Sequence, residues 1–126
     1  DKLVEVLTKT PLKVVLVTHI NHANEVSEAF IQNIGNFTNI TLLNQSVLLK
    51  GVNDDLSILE CLSLKLFDIG ILPYYLHMLD KVKGAEHFLV SDERAIQLHQ
   101  DLKNDLSGYL VPKLVRDENL NSKTWV

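Results

Sequence analysis

The sequence predicts an α/β fold assembled from parallel βα units, and three observations carry that expectation. First, apolar, β-branched runs recur along the 126 residues: Lys13 to Thr18, Ile40 to Leu43, Ile69 to Leu72 and Tyr109 to Val115. Short unbroken runs of this kind suit strands buried on both faces, as in a parallel sheet. Second, the stretches between them, 24–34, 54–67 and 91–106, carry apolar residues three or four apart, the spacing of one helix face. Third, successive runs begin about thirty or more residues apart, enough for the crossover that a parallel pair needs.

Each helix has its start and stop signals. Asn24 or Ser27 opens the first, with Val26, Ala29, Phe30 and Ile34 as its apolar positions and Gly35 after it. Asp54 or Asp55 opens the second, in which Leu56, Leu59, Leu62, Leu66 and Phe67 form the stripe, and Gly70 ends it. Ser91 with Asp92 and Glu93 opens the third, in which Ala95, Ile96, Leu98, Leu102 and Leu106 are periodic, and Gly108 follows. These are the residues that cap helix N-termini and release C-termini. Residues 1–9 read as the tail of a further helix, as though the chain were cut from something longer. No repeat, linker or low-complexity stretch divides the chain, so residues 1–126 read as one segment.

The order (α)βαβαβαβ suits a doubly wound sheet or part of a (β/α) barrel. No Gly-x-Gly-x-x-Gly or Walker loop follows a strand, which disfavours a nucleotide-binding Rossmann domain. Four strands are too few to close an eight-stranded barrel, so a barrel reading makes this a segment of one.

Composition is that of an ordinary soluble protein: 46% apolar and 22% charged residues, with a formal net charge of -4. An acidic balance gives no pull toward nucleic acid or anionic membranes, and no apolar run reaches the length of a membrane span. The N-terminus lacks the features of a signal peptide, and a cytoplasmic location is expected. Cys61 is the one cysteine, so no intrachain disulfide or Cys-rich metal site is possible; it is expected as a small buried helix residue. Three Asn-x-Ser/Thr sequons, at Asn36, Asn39 and Asn44, read as coincidence.

In parallel α/β folds, ligands collect at the C-terminal ends of the strands, and polar residues gather at those positions here. Thr18, His19, Asn21 and His22 follow the first run, and Asn44, Gln45 and Ser46 the second. Tyr74, Tyr75, His77 and Asp80 follow the third, and Arg116, Asp117 and Lys123 the fourth. His19 and His22 have a spacing that can chelate a metal, but no acidic or cysteine partner stands at zinc-site spacing, so no metal is expected. Asn44 and Gln45 sit in an apolar run. A buried amide costs free energy unless hydrogen-bonded, so the pair serves either a structural network or a ligand. Tyr74 and Tyr75 suit packing more than a site. Asp80 alone reads as a turn residue and Lys123 as a surface lysine, and His99 is expected exposed on its helix. A Schiff-base lysine needs surroundings that favour its neutral amine.

Five segments, in order and at similar spacing, resemble the lysine 2,3-aminomutase family: Val17 to Glu25, Leu42 to Asp54, Pro73 to Asp80, Gly84 to Phe88 and Ser107 to Pro112. The stretches Leu76 to Val82 and Val111 to Arg116 most resemble the branch that makes (R)-β-lysine for elongation factor P; catabolic lysine 2,3-aminomutases are the neighbouring branch. The resemblance implies the C-terminal part of an incomplete (β/α) radical-SAM barrel. It also implies migration of the amino group of L-lysine from Cα to Cβ, with a [4Fe-4S] cluster, S-adenosylmethionine and pyridoxal phosphate as cofactors.

Carried over by position, Lys123 matches the lysine that bonds pyridoxal phosphate. Asp80 and Asp117 match the acidic positions that grip the distal ammonium of the substrate, and His19 and Gln45 match contacts to S-adenosylmethionine. His77 falls where catabolic relatives place a tyrosine on the pyridoxal side. Two departures stand out. The three-cysteine cluster motif of the family is absent, so residues before Asp1 supply it or the chain is inert alone. The run Glu118 to Ser122 before Lys123 has no glycine or proline, where the family has a loop rich in both. The competing expectations are an inert folding or oligomerisation module, with a homodimer paired through exposed strand edges, and an unrelated Schiff-base aldolase on a barrel.

Overall fold

A computed structural model describes residues 2–79, 84–119 and 122–125, with side chains up to residue 116. Helix α1 spans Lys2–Lys9, strand β1 Val15–His19, α2 Glu28–Gly35, β2 Thr41–Leu48 and α3 Leu56–Asp68. They are followed by β3 Leu72–Met78, α4 Asp92–Asp105, β4 Lys113–Asn119 and β5 Ser122–Trp125. The strands form one sheet in the order β1-β2-β3-β4-β5. Strands β1 to β4 are parallel neighbours, each joined to the next through a helix. The expected α/β fold of parallel βα units is thus the observed one, and the sheet is open.

Strand β5 pairs antiparallel with β4. It was not among the expected strands, because Glu118 to Ser122 carries neither glycine nor an apolar alternation to signal a hairpin.

Two strands stand later in the chain than their apolar runs suggested. The run Ile69-Gly70-Ile71 closes α3 instead of opening β3. The Gly70 N–H donates to the Phe67 carbonyl at 3.0 Å and the Ile71 N–H to the Leu66 carbonyl at 2.9 Å. Gly70 has φ +87°, so this is a Schellman cap that needs a residue tolerant of the left-handed region. Ile71 is fully buried behind the cap, and β3 starts one residue later. Tyr74, Tyr75 and His77, expected beyond the strand, therefore lie within it. Likewise, residues 108–110 form a 3-10 turn, and β4 begins only at Lys113.

The helix starts follow the sequence. The Ser27 hydroxyl accepts from the Phe30 N–H, the Asp55 carboxylate from Ser57 and Ile58, and the Ser91 hydroxyl from Arg94. Each satisfies an N–H that the first turn leaves open. Gly35, expected past the end of α2, is its last residue.

Helices pack on one face of the sheet. Leu42, Ile20, Val26, Ile34, Leu62, Leu66 and Ile71 form one buried cluster. Leu48, Leu76, Met78 and Leu114 from the strands meet Leu59, Ala95, Leu98 and Leu102 in a second. Burying each Leu, Ile, Val or Met side chain of these clusters contributes about 1.5–3 kcal/mol. The buried stripe of α3 is Leu59, Leu62, Ser63 and Leu66, which turns Cys61 outward. Cys61 is exposed, contrary to expectation. Phe67 and Ile96, expected on the buried stripes, are also exposed.

Candidate functional site

After an exposed Thr41, strand β2 alternates between buried and half-buried residues. Leu42, Asn44, Ser46 and Leu48 point into the helix-covered side, and Leu43, Gln45 and Val47 to the other. The register carries this alternation across the sheet. His19 is the neighbour of Gln45, and Gln45 that of Tyr75. His77 stands between Val47 and Val115. One face of the sheet thus presents a row His19–Gln45–Tyr75, followed by a row Val47–His77–Val115.

The two positions matched to S-adenosylmethionine, His19 and Gln45, stand side by side on this face. Gln45 is half-buried and His19, the last residue of β1, is exposed. Oε1 of Gln45 lies 3.3 Å from Nε2 of His77. The His77 ring also stands against that of Tyr75, centroids 5.6 Å apart, and Tyr75 against Tyr74 at 4.0 Å. Hydrogen bonding to Tyr74, with burial and charge adding to it, raises the Tyr75 hydroxyl above its ordinary pKa.

Asn44 resolves the question the amide pair left open. It is 2% exposed and faces the helices, not the row. Its Oδ1 accepts from the Thr18 hydroxyl at 2.8 Å and the Ile20 N–H at 2.9 Å. Its Nδ2 donates to the Ile20 carbonyl at 3.0 Å and the Ser46 hydroxyl oxygen at 3.1 Å. All four bonding positions of the amide are used, so Asn44 is structural, while Gln45 lies on the opposite face of the sheet.

Asn53, in the loop after β2, does the same work and was not among the expected residues. It is fully buried. Its Nδ2 donates to the carbonyls of Asn21 and Val47, both at 2.9 Å, and its Oδ1 accepts from the Leu49 N–H at 2.8 Å. Asn21 Oδ1 in turn accepts from the Val47 N–H at 2.8 Å. These amides extend the β1–β2 contact past the last ladder pair, His19 with Gln45. A lone asparagine in a polar loop carries no signal that would have marked it.

The remaining candidates are placed as follows. His22 accepts from the Asn24 N–H and caps the short turn 23–25. Arg116 is on the helix side, where it pairs with Asp92 in the first turn of α4. His99, expected exposed, is half-buried, its Nε2 2.9 Å from the Pro112 carbonyl. Burial pushes its pKa below the usual histidine value. Asp117 and Lys123 are backbone register partners across β4 and β5. Their side chains lie outside the described residues, as does the whole of Asp80.

The imidazole of His19 and the amide of Gln45 fit the polar contacts an adenosyl amino acid needs. An iron–sulfur cluster does not fit this chain. It holds one cysteine, turned to solvent on α3. Among the described residues no group of three His, Cys, Asp or Glu side chains could hold a metal. No described helix is long and apolar enough to cross a membrane.

No family model matches the chain. Two curated relatives named L-lysine 2,3-aminomutase match it over 93% of its length: one from Haemophilus influenzae at 58% identity and one from Escherichia coli at 54%. Among solved structures, a radical SAM methyltransferase from Sphaerobacter thermophilus covers 94% of the chain, and the chain 38% of it, at TM-score 0.61 and 18% identity. That likeness bears on the fold, which is the fold of a radical SAM enzyme's βα units. The chain spans about a third (35%) of the length of both curated relatives. Over that third, the chain belongs to the lysine 2,3-aminomutase family.

Proposed function

We propose that this chain is the C-terminal part of an L-lysine 2,3-aminomutase that converts L-lysine to (R)-β-lysine. The observation that carries the reading is the side-by-side placement of His19 and Gln45 on the helix-free face of the sheet, within a chain 54–58% identical to proteins of that name.

In this reading His19 and Gln45 hold S-adenosylmethionine through hydrogen bonds to its polar atoms. Lys123 holds pyridoxal phosphate through its amine. Asp80 and Asp117 hold the distal ammonium of L-lysine, since a cation moved out of water needs a carboxylate partner. Together the cofactors supply hydrogen-atom abstraction, driven by a reduced [4Fe-4S] cluster, and a carbonyl that takes up the migrating amino group. The cluster ligands come from outside this chain. Leu43 and Val47, two residues to either side of Gln45 on β2, share its face of the sheet.

The finer part of the proposal is that the product serves elongation factor P, in the cytoplasm. The Leu76 to Val82 and Val111 to Arg116 stretches support it by resembling that branch. The test is to incubate the intact, cluster-reconstituted protein with L-lysine, S-adenosylmethionine, pyridoxal phosphate and a reductant. Chiral chromatography is expected to find (R)-β-lysine; recovery of unchanged lysine alone would refute the assignment. Loss of the β-lysyl mass from elongation factor P in a deletion strain tests the destination.

A further inference from the structure

We infer that His77 is a positioning residue for Gln45: its Nε2–H donates to Gln45 Oε1 and so fixes which way the amide faces. The inference rests on the reading of Gln45 as an S-adenosylmethionine contact and deepens it.

A glutamine side chain on a half-open sheet face can turn its carbonyl or its NH2 toward a ligand with similar ease. The terminal torsion is broad, and the two orientations have nearly the same shape. A ligand contact needs one of them. Gln45 has Tyr75 as its neighbour on β3 in the register, and His77 lies one row further along the same face. The imidazole therefore reaches Gln45 diagonally, and the 3.3 Å separation falls in hydrogen-bonding range. The ring is itself held. Val47 and Val115 flank it as strand neighbours, and the Tyr75 ring stands 5.6 Å away on the same strand.

With its carbonyl engaged by His77, the amide has its two N–H donors left for acceptor atoms such as a carboxylate or a ribose hydroxyl. Pre-setting that orientation removes an ordering cost that S-adenosylmethionine would otherwise meet on binding.

The test is a double-mutant cycle on the intact protein, read by calorimetric titration with S-adenosylmethionine. His77→Phe keeps a ring and removes the donor; it is expected to raise Kd about tenfold, the worth of one hydrogen bond. In a Gln45→Ala background the same substitution is expected to change Kd by less than about twofold, because its effect runs through Gln45. His77→Gln, which returns an N–H donor at the ε position, is expected to recover most of the affinity, so a poorly folding His77→Phe still leaves a variant to read. Equal effects of His77→Phe with and without Gln45 would overturn the role, and so would failure of His77→Gln to recover affinity. A parent protein that binds no S-adenosylmethionine would overturn the proposed function itself, which is a different result.

Discussion

The side chain of Asn44 binds both backbone groups of Ile20, accepting from its N–H at 2.9 Å and donating to its carbonyl at 3.0 Å. A side-chain amide here does what a backbone peptide does in a sheet. It catches the chain as it leaves β1, at the residue immediately after His19. Removing it strands the buried Ile20 N–H, at about 1–3 kcal/mol, and takes away three further hydrogen bonds worth about 0.5–1.5 kcal/mol each, although the Thr18 hydroxyl keeps the Leu43 carbonyl and the Ser46 hydroxyl keeps the Ile20 carbonyl. Asn44→Ala is therefore expected to destabilise the fold by about 3 kcal/mol, read as a lower denaturant midpoint with an unchanged slope. Asn53→Ala is expected to speed amide exchange at Leu49 selectively, since that N–H bonds to Asn53 Oδ1. An unaltered midpoint and unaltered exchange would show that these amides do not hold the β1 end.

His99 gives the fold a pH dependence of known sign. Burial lowers its pKa, against a smaller upward push from the Pro112 carbonyl. The folded state thus binds the proton less readily than the unfolded chain, whose histidine titrates near 6.5. Its contribution is fully present above that value and is lost as pH falls through the lower folded one. His99→Gln is expected to flatten the dependence of the urea midpoint between about pH 7 and pH 5. A parallel loss of stability in parent and variant over that interval would assign the dependence elsewhere.

The proposed grip on the substrate ammonium predicts a split in the kinetics. Asp80→Asn and Asp117→Asn in the intact protein remove a carboxylate from a desolvated cation. Each is expected to raise the KM for L-lysine by at least about tenfold. Pyridoxal phosphate affinity should stay as it was. A weakened cofactor with unchanged KM would place these carboxylates in a different role.

The alternation of apolar runs with helical stripes made the parallel architecture readable, because each strand buries its helix-facing side. Strand limits were less readable. Ile69 and Ile71 are apolar for a helix cap and its buried follower, yet look the same as the start of a strand. The partition of Asn44 and Gln45 was open in the sequence because adjacent strand residues face opposite sides, and only the register shows which side carries helices. The lowered pKa of His99 comes from its burial, against the upward push of a carbonyl thirteen residues away in the sequence, and the role of Asn53 depends on contacts to two other segments. Such long-range pairings leave no local pattern. The resemblance to the family supplied site positions that periodicity alone could not.

Lys123 is the residue proposed to bond pyridoxal phosphate. The measurement is reduction of the pyridoxal phosphate-loaded intact protein with borohydride, followed by peptide mapping. The reduced pyridoxyl label is expected on Lys123, with no label in Lys123→Ala. Label on any other lysine, or undiminished labelling of Lys123→Ala, would rule out Lys123 as the pyridoxal lysine.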